Sequence, residues 1–97
     1  MRISYSRRAL AQLDEIFAYI DKDNPAAAAT FMDRIVTLVA LLGKYPMMGR
    51  ATDKAGVRVM GVRSFPYLVF YKILTERDEL RILRIRHTAR RPLLKTW

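Results

Sequence analysis

Residues 81–92 read Arg81-Ile82-Leu83-Arg84-Ile85-Arg86-His87-Thr88-Ala89-Arg90-Arg91-Pro92. Branched apolar residues interleaved with arginine mark a β-strand, and the proline stops the basic tail beyond it. With a side-chain period of two, Leu83 and Ile85 point to one face and Arg84 and Arg86 to the other. One face belongs to a core; the other suits an anion or an acidic partner. The rest of the chain reads as the scaffold that holds this strand.

Working outward, strands are expected over 57–63 and 67–74, with the quoted strand itself over 79–87. Ser64-Phe65-Pro66 and Thr75-Glu76-Arg77-Asp78 separate them, and connections this short join antiparallel neighbours. In the middle strand Leu68 and Phe70 share one face, while Tyr67, Val69, Tyr71 and Ile73 share the other. A helix layer covers only one side of so small a sheet. The face with Tyr67, Val69 and Tyr71 is expected beside Arg84 and Arg86, in need of a cover or a partner. Leu93, Leu94 and Trp97 offer a little cover from the same chain, and a second polypeptide is expected to lie across the remainder.

The N-terminal half supplies the other layer. Ile3 and Tyr5 alternate with polar neighbours, giving a short strand over 2–5, and Ser6 is placed to cap a helix directly after it. Leu10, Leu13, Ile16, Phe17 and Ile20 recur at helical spacing, so an amphipathic helix is expected over 7–22. Asp23-Asn24-Pro25 ends it and opens a second helix over 25–44, with Asn24 as cap and Pro25 at the first helical position. The two should pack as an antiparallel hairpin. Met32, Val36, Ala40 and Leu41 extend the apolar stripe of the second helix beyond one face. Burial between helix and sheet is the preferred explanation, contact with another chain the alternative. Gly43 marks the end of that helix, and residues 45–56 read as a loop punctuated by Pro46 and Gly49. The expected fold is α+β: an N-terminal helix hairpin on a small, mainly antiparallel sheet of three or four strands, in a single domain over 1–97.

The chain has 97 residues and a net charge of +9. Residues 1–44 carry six Lys and Arg against five Asp and Glu, whereas residues 45–97 carry twelve against four. The positive field is thus a property of the C-terminal half, and it steers acidic partners. Thirteen of the basic residues are arginine, which suits planar recognition of carboxylate or phosphate. Cysteine is absent, which excludes disulfides and thiolate zinc sites, and His87 is the one histidine, so no metal site and no cofactor are expected. No signal-peptide core and no run approaching a membrane span is read, and a soluble, cytoplasmic protein without membrane contact is expected. The carboxylates Asp21 with Asp23, and Glu76 with Asp78 and Glu79, sit at turns, where capping explains them.

Leu13-Asp14-Glu15-Ile16, Tyr19-Ile20 and Asn24-Pro25-Ala26-Ala27 resemble the ParE branch of the RelE/ParE toxin superfamily. So do Tyr45-Pro46 with Gly49-Arg50, Pro66-Tyr67-Leu68-Val69-Phe70-Tyr71, and Arg84-Ile85-Arg86-His87 followed by Ala89-Arg90-Arg91-Pro92. The resemblance covers nearly the whole chain in the family's order. It implies the toxin of a type II toxin–antitoxin pair, with the helix hairpin on an antiparallel sheet derived above. Its implied partners are a ParD-like antitoxin that wraps and silences it, and DNA gyrase as target, with DNA touched only indirectly. RelE-like relatives instead cut mRNA on the ribosome.

Cleavage of RNA needs groups that activate a ribose hydroxyl, protonate a leaving oxygen and stabilise the phosphorane. RelE-like enzymes resemble this chain least at that point: Tyr67 stands where their strand arginine aligns, and the tail after Arg86 contains no tyrosine. For RNA cleavage the candidates are His87, Arg84 and Arg86, but alternation sends His87 to the face opposite the two arginines. The expectation is a toxin that acts by binding and not by catalysis. Arg84, Arg86, Arg90 and Arg91 are the candidate target-binding residues; Tyr67, Tyr71, Arg58, Arg63 and Trp97 are the candidate antitoxin contacts. A plain nucleic-acid binder is a third reading, marked by affinity that falls steeply with salt and needs no protein partner.

Overall fold

Ser6 and Asn24 decide where the two helices begin. The computed structural model describes residues 1–89, starting with strand β1 (Arg2–Tyr5). The Ser6 hydroxyl accepts from the Ala9 amide at 3.0 Å and donates to the Leu83 carbonyl at 2.7 Å. It therefore caps helix α1 (Arg7–Asp23) and ties its start to the sheet. Asn24 serves both helices: its amide donates to the Ile20 carbonyl at 2.8 Å, and its Oδ1 accepts from the Ala27 amide at 3.0 Å. Helix α2 (Pro25–Lys44) opens on Pro25, where a missing N–H removes no helical bond. Both helices lie within a residue of their expected ends.

The sheet has five strands in the order β1-β5-β4-β3-β2, one more than the three or four expected. Strands β3 (Val57–Gly61), β4 (Tyr67–Leu74) and β5 (Glu79–His87) form the antiparallel centre. Strand β3 stops two residues short of the expected 63, because the chain turns at Ser64, whose φ of 69° is left-handed. A 3-10 turn (Thr75–Arg77) joins β4 to β5. The extra strand is β2 (Arg50–Ala51), two residues paired with Val59 and Arg58 inside the segment read as loop. Strand β1 lies parallel to β5, from Arg2 opposite Glu79 to Tyr5 opposite Ile82, a pairing that the helix hairpin's crossover permits.

A bulge changes the face assignments. Phe70 pairs with Arg84 but Tyr71 pairs with Ile82, so Leu83 is an extra residue on β5. Ile82 and Ile85 therefore both face the helices, and Leu83 does not share a face with Ile85 as uninterrupted alternation predicts. Ile82, Ile85, Val69 and Tyr71 join Phe31, Ile35, Leu38 and Leu42 of α2 and Ala9 and Leu13 of α1 in the main core. Leu83 packs with Val57, Val59, Leu68 and Phe70 in a second cluster on the other side of the sheet. The expected placement of Tyr67 and Tyr71 beside Arg84 and Arg86 is thereby overturned. The hairpin covers the tyrosine face, and the arginines share the opposite face with Leu68 and Phe70.

Helix α2 is long and apolar enough, at a mean hydropathy of 1.6, to meet the composition of a membrane span, contrary to the sequence expectation. Its apolar face is nonetheless packed on the sheet through Phe31, Ile35, Leu38 and Leu42. Met32 is half-buried against that core, whereas Val36 and Leu41 are 64% and 41% exposed. Burial thus accounts for Met32 and not for Val36, Ala40 or Leu41.

Candidate functional site

The face of the sheet away from the helices carries the arginines of β5. Regular pairing beyond the bulge sets Arg84 opposite Phe70 and Arg86 opposite Leu68. Their guanidinium carbons lie 5.9 and 5.4 Å from the centre of the Phe70 ring, within the range of cation–π attraction. Phe70 is itself 3% exposed and rests on Val57 and Val59, so the platform beneath the two cations is rigid. Arg84 is 9% exposed. Burial draws its guanidinium below the ordinary arginine value, and the charges of Arg8 and Arg86 act in the same direction. It remains charged near neutral pH, as arginine does. The Nε of Arg86 is buried without a hydrogen-bond partner among the described residues. Two closely spaced cations fixed over an aromatic ring make a surface for carboxylate or phosphate groups. Arg8, at the first turn of α1, adds to this field, and no spacing in the sequence signals it.

His87 lies on the helix side. Its ring meets that of Tyr67 edge to face, centres 5.2 Å apart, and its Nδ1 accepts from the Ala89 amide at 3.1 Å. The sheet separates it from the guanidinium groups of Arg84 and Arg86, as alternation predicts, because the bulge at Leu83 precedes all three. The hydrogen bond to Ala89 secures the end of the strand.

The remaining candidates fall in different places. Tyr71 is wholly buried; its hydroxyl accepts from the Gly49 amide at 2.9 Å and donates to the Pro46 carbonyl at 2.6 Å. Burial raises this phenol above the ordinary tyrosine value, against the opposing influence of the Gly49 N–H and the Arg58 charge. The half-buried Arg58 donates to the carbonyls of Gly49 and Met47. Tyr71 and Arg58 together anchor the 45–50 loop, and Tyr71 offers no surface to a partner. Tyr67 is 7% exposed and stacks edge to face on Phe31, 5.4 Å between centres. Arg63 is exposed in the turn after β3. Arg90, Arg91 and Trp97, with Leu93 and Leu94, lie outside the described residues.

Comparison with known proteins adds the decisive observation. A family model described as the ParE toxin of the type II toxin–antitoxin system parDE matches residues 3–92. The chain belongs to the ParE toxin family. The Y4kP protein of Sinorhizobium fredii is 43% identical over 82 residues, covering 84% of this chain and 85% of that protein. Among solved structures, the chromosomal ParDE toxin–antitoxin system of P. aeruginosa superposes with a TM-score of 0.77 at 27% identity, over 90% of this chain and 95% of that one. The isolated RelE toxin of E. coli superposes with a TM-score of 0.68 at 12% identity, over 95% of this chain and 88% of that one; it shares the fold. The protein is therefore a type II toxin of the ParE/RelE superfamily, built as a ParE-family helix hairpin on a five-stranded sheet.

Proposed function

We propose that this ParE-family toxin arrests growth by binding DNA gyrase and is held inactive by a ParD-like antitoxin, both in the cytoplasm. The observation that supports binding over RNA cleavage is the separation of His87 from Arg84 and Arg86 by the thickness of the sheet. A general acid or base must reach the atom it protonates, within about 3 Å or through one water. A group on the far side of a sheet does not meet a phosphate bound by the two arginines. What the arginine face can do is hold an anion. Arg84 and Arg86 are the target-binding pair, and Arg90 and Arg91, outside the described residues, are further target-binding candidates. Arg58 and Arg63 remain candidate antitoxin contacts, together with Trp97, whereas Tyr67, 7% exposed, has almost no surface to offer.

The test is a gyrase supercoiling and cleavage assay with the purified protein, run beside a ribosome-dependent mRNA cleavage assay. Inhibited supercoiling or trapped DNA breaks, without RNA cuts, are expected. Cuts in translated mRNA with gyrase unaffected would overturn the reading and make His87 and the arginines catalytic candidates.

A further inference from the structure

Burial does not explain Leu41, and its neighbours share its condition. At the C-terminal end of α2, Leu41, Tyr45, Met47 and Met48 are 41%, 60%, 64% and 39% exposed. They form one run of surface: the Tyr45 amide donates to the Leu41 carbonyl at 2.8 Å, and the Met48 amide turns back onto the Tyr45 carbonyl at 3.0 Å. The helical period sets Arg34, Leu41 and Tyr45, at positions i, i+7 and i+11, on one side of α2 over about 16 Å of its axis. A loop that only connects two elements is ordinarily mobile. This one is held from beneath by the Tyr71 hydroxyl, through the Gly49 amide and the Pro46 carbonyl, and by Arg58, which donates to the Met47 and Gly49 carbonyls. The anchor holds apolar side chains in fixed positions facing water, which is how a preorganised binding surface is made.

Charge selects the occupant. From residue 34 to residue 52 there is no Asp or Glu, whereas Arg34, Lys44 and Arg50 are cationic. Arg34 stands at the far end of the stripe, half-buried, and its buried Nε has no hydrogen-bond partner among the described residues. A carboxylate brought to that point supplies the acceptor. A second copy docked about a two-fold axis would set Arg34 and Lys44 against their own counterparts, a like-charge contact. Residues 90–97 carry three Arg or Lys and no acidic side chain, so the chain's own C-terminal residues are mismatched in the same way. An anionic bilayer calls for a cluster of about four to eight cations, more than stand here with Arg58 engaged on loop carbonyls. A helix fits this surface. Its apolar stripe repeats with the period of Arg34, Leu41 and Tyr45, and methionine side chains adapt to such a face.

We infer that the flank of α2 and the 45–48 loop receive an amphipathic helix of a partner polypeptide, its apolar side chains on Leu41, Tyr45 and the two methionines and a carboxylate about 10 Å further along on Arg34. The surface lies on the helix side of the sheet, away from Arg84 and Arg86, so it stands whether or not gyrase is the target.

The probe is the peptide acetyl-Ala-Gln-Glu-Ala-Gln-Gln-Leu-Ala-Gln-Leu-Ala-Gln-Gln-Leu-Ala-Gln-amide, whose glutamate and leucines share one helical face. It is titrated into the full-length ¹⁵N-labelled protein and followed by amide shifts. Saturable shifts at Leu41, Tyr45 and Met48 are expected. Replacing the peptide's glutamate by glutamine should weaken binding by about fivefold or more, and so should Arg34→Gln. Met47→Gln should weaken it without unfolding the protein, since that side chain is 64% exposed. Val36→Gln alters an equally exposed apolar residue, about 140° around α2 from Leu41, and should leave the affinity as it was. Absence of binding, shifts confined to other surfaces, equal affinity for the glutamine peptide, or equal effects of Met47→Gln and Val36→Gln would each overturn the inference. Self-association that Met47→Gln abolishes would overturn it in favour of a second copy. Adsorption to phosphatidylcholine vesicles containing one-quarter phosphatidylserine, lost in the same variant, would overturn it in favour of a membrane.

Discussion

The Tyr71 hydroxyl accepts the Gly49 amide at 2.9 Å, an approach that is possible because residue 49 has no Cβ; one added there would lie 2.5 Å from that oxygen. The glycine is required by contact, and the loop it belongs to is fixed on the sheet by a buried phenol.

Two substitutions test this anchor. Tyr71→Phe leaves the Gly49 amide and the Pro46 carbonyl without their partner, a loss of about 1–3 kcal/mol in stability. Gly49→Ala forces a methyl against the ring of Tyr71 and should cost about 1–3 kcal/mol through overpacking. Urea or thermal unfolding measures both. Wild-type stability in Gly49→Ala would mean that the loop moves freely away from Tyr71.

The arginine face makes a separate prediction. Arg84→Ala and Arg86→Ala together should leave the far-ultraviolet circular dichroism unchanged, because Phe70 remains supported by Val57 and Val59. Target affinity should fall by at least about tenfold, the scale of a lost charge-assisted contact, with relief of growth arrest. Unchanged arrest together with an unchanged antitoxin complex would show that this face is not the active surface. Double replacement of Arg90 and Arg91 tests the tail by the same readout.

Acid should loosen β1 before the rest of the sheet. Glu79 is 6% exposed, and its carboxylate accepts from the Ser4 hydroxyl and from Arg81 at 2.9 Å, with Arg2 at 3.6 Å. The Ser4 hydrogen bond leads in holding it below the ordinary value of about 4.5; desolvation opposes, and Arg81 and Arg2 assist. A depressed folded-state value means that this contribution is fully present above the unfolded value and is lost as pH falls through the folded one. Hydrogen-exchange protection factors at Arg2 and Ser6, whose amides donate to the Asp78 and Ile82 carbonyls, should therefore fall below about pH 4.5. Glu79→Gln should lower stability at neutral pH and flatten this acid dependence. An acid limb unaltered in Glu79→Gln would assign it to another carboxylate.

The parts of this fold that were legible in the sequence are those specified by local chemistry. Ser6, Asn24 and Pro25 state the helix boundaries by capping, and β4 and β5 emerge from alternation over eight and nine residues. Strand β2 was not legible because two residues carry no period, and its position depends on Tyr71, whose contacts span 22 and 25 residues of chain. The face of Leu83, and with it the supposed company of Tyr67 and Tyr71, was misread because alternation assumes an unbroken ladder. His87 was assigned to the correct side, since no irregularity separates it from Arg84 and Arg86. Arg8 joins the site through the docking of α1 on β5, a tertiary event without a spacing signature.

The bulge permits the sharpest test of that lesson. Removing Leu83 converts the pairs Phe70 with Arg84 and Tyr71 with Ile82 into a continuous ladder, with Ile82 and Ile85 still inward and Arg84 and Arg86 still outward. The deletion should fold, at a cost of about 1–3 kcal/mol for the half-buried leucine and the carbonyl that accepts from Ser6. Removing Ile85 instead shifts the residues after it by one, turning Arg86 toward the helices and His87 away from Tyr67. That chain should fail to fold, since a guanidinium then needs burial among apolar side chains without a partner. Circular dichroism and thermal melts of the two deletions decide the matter. Equal damage from both would mean that the extra residue at Leu83 is itself required by the sheet.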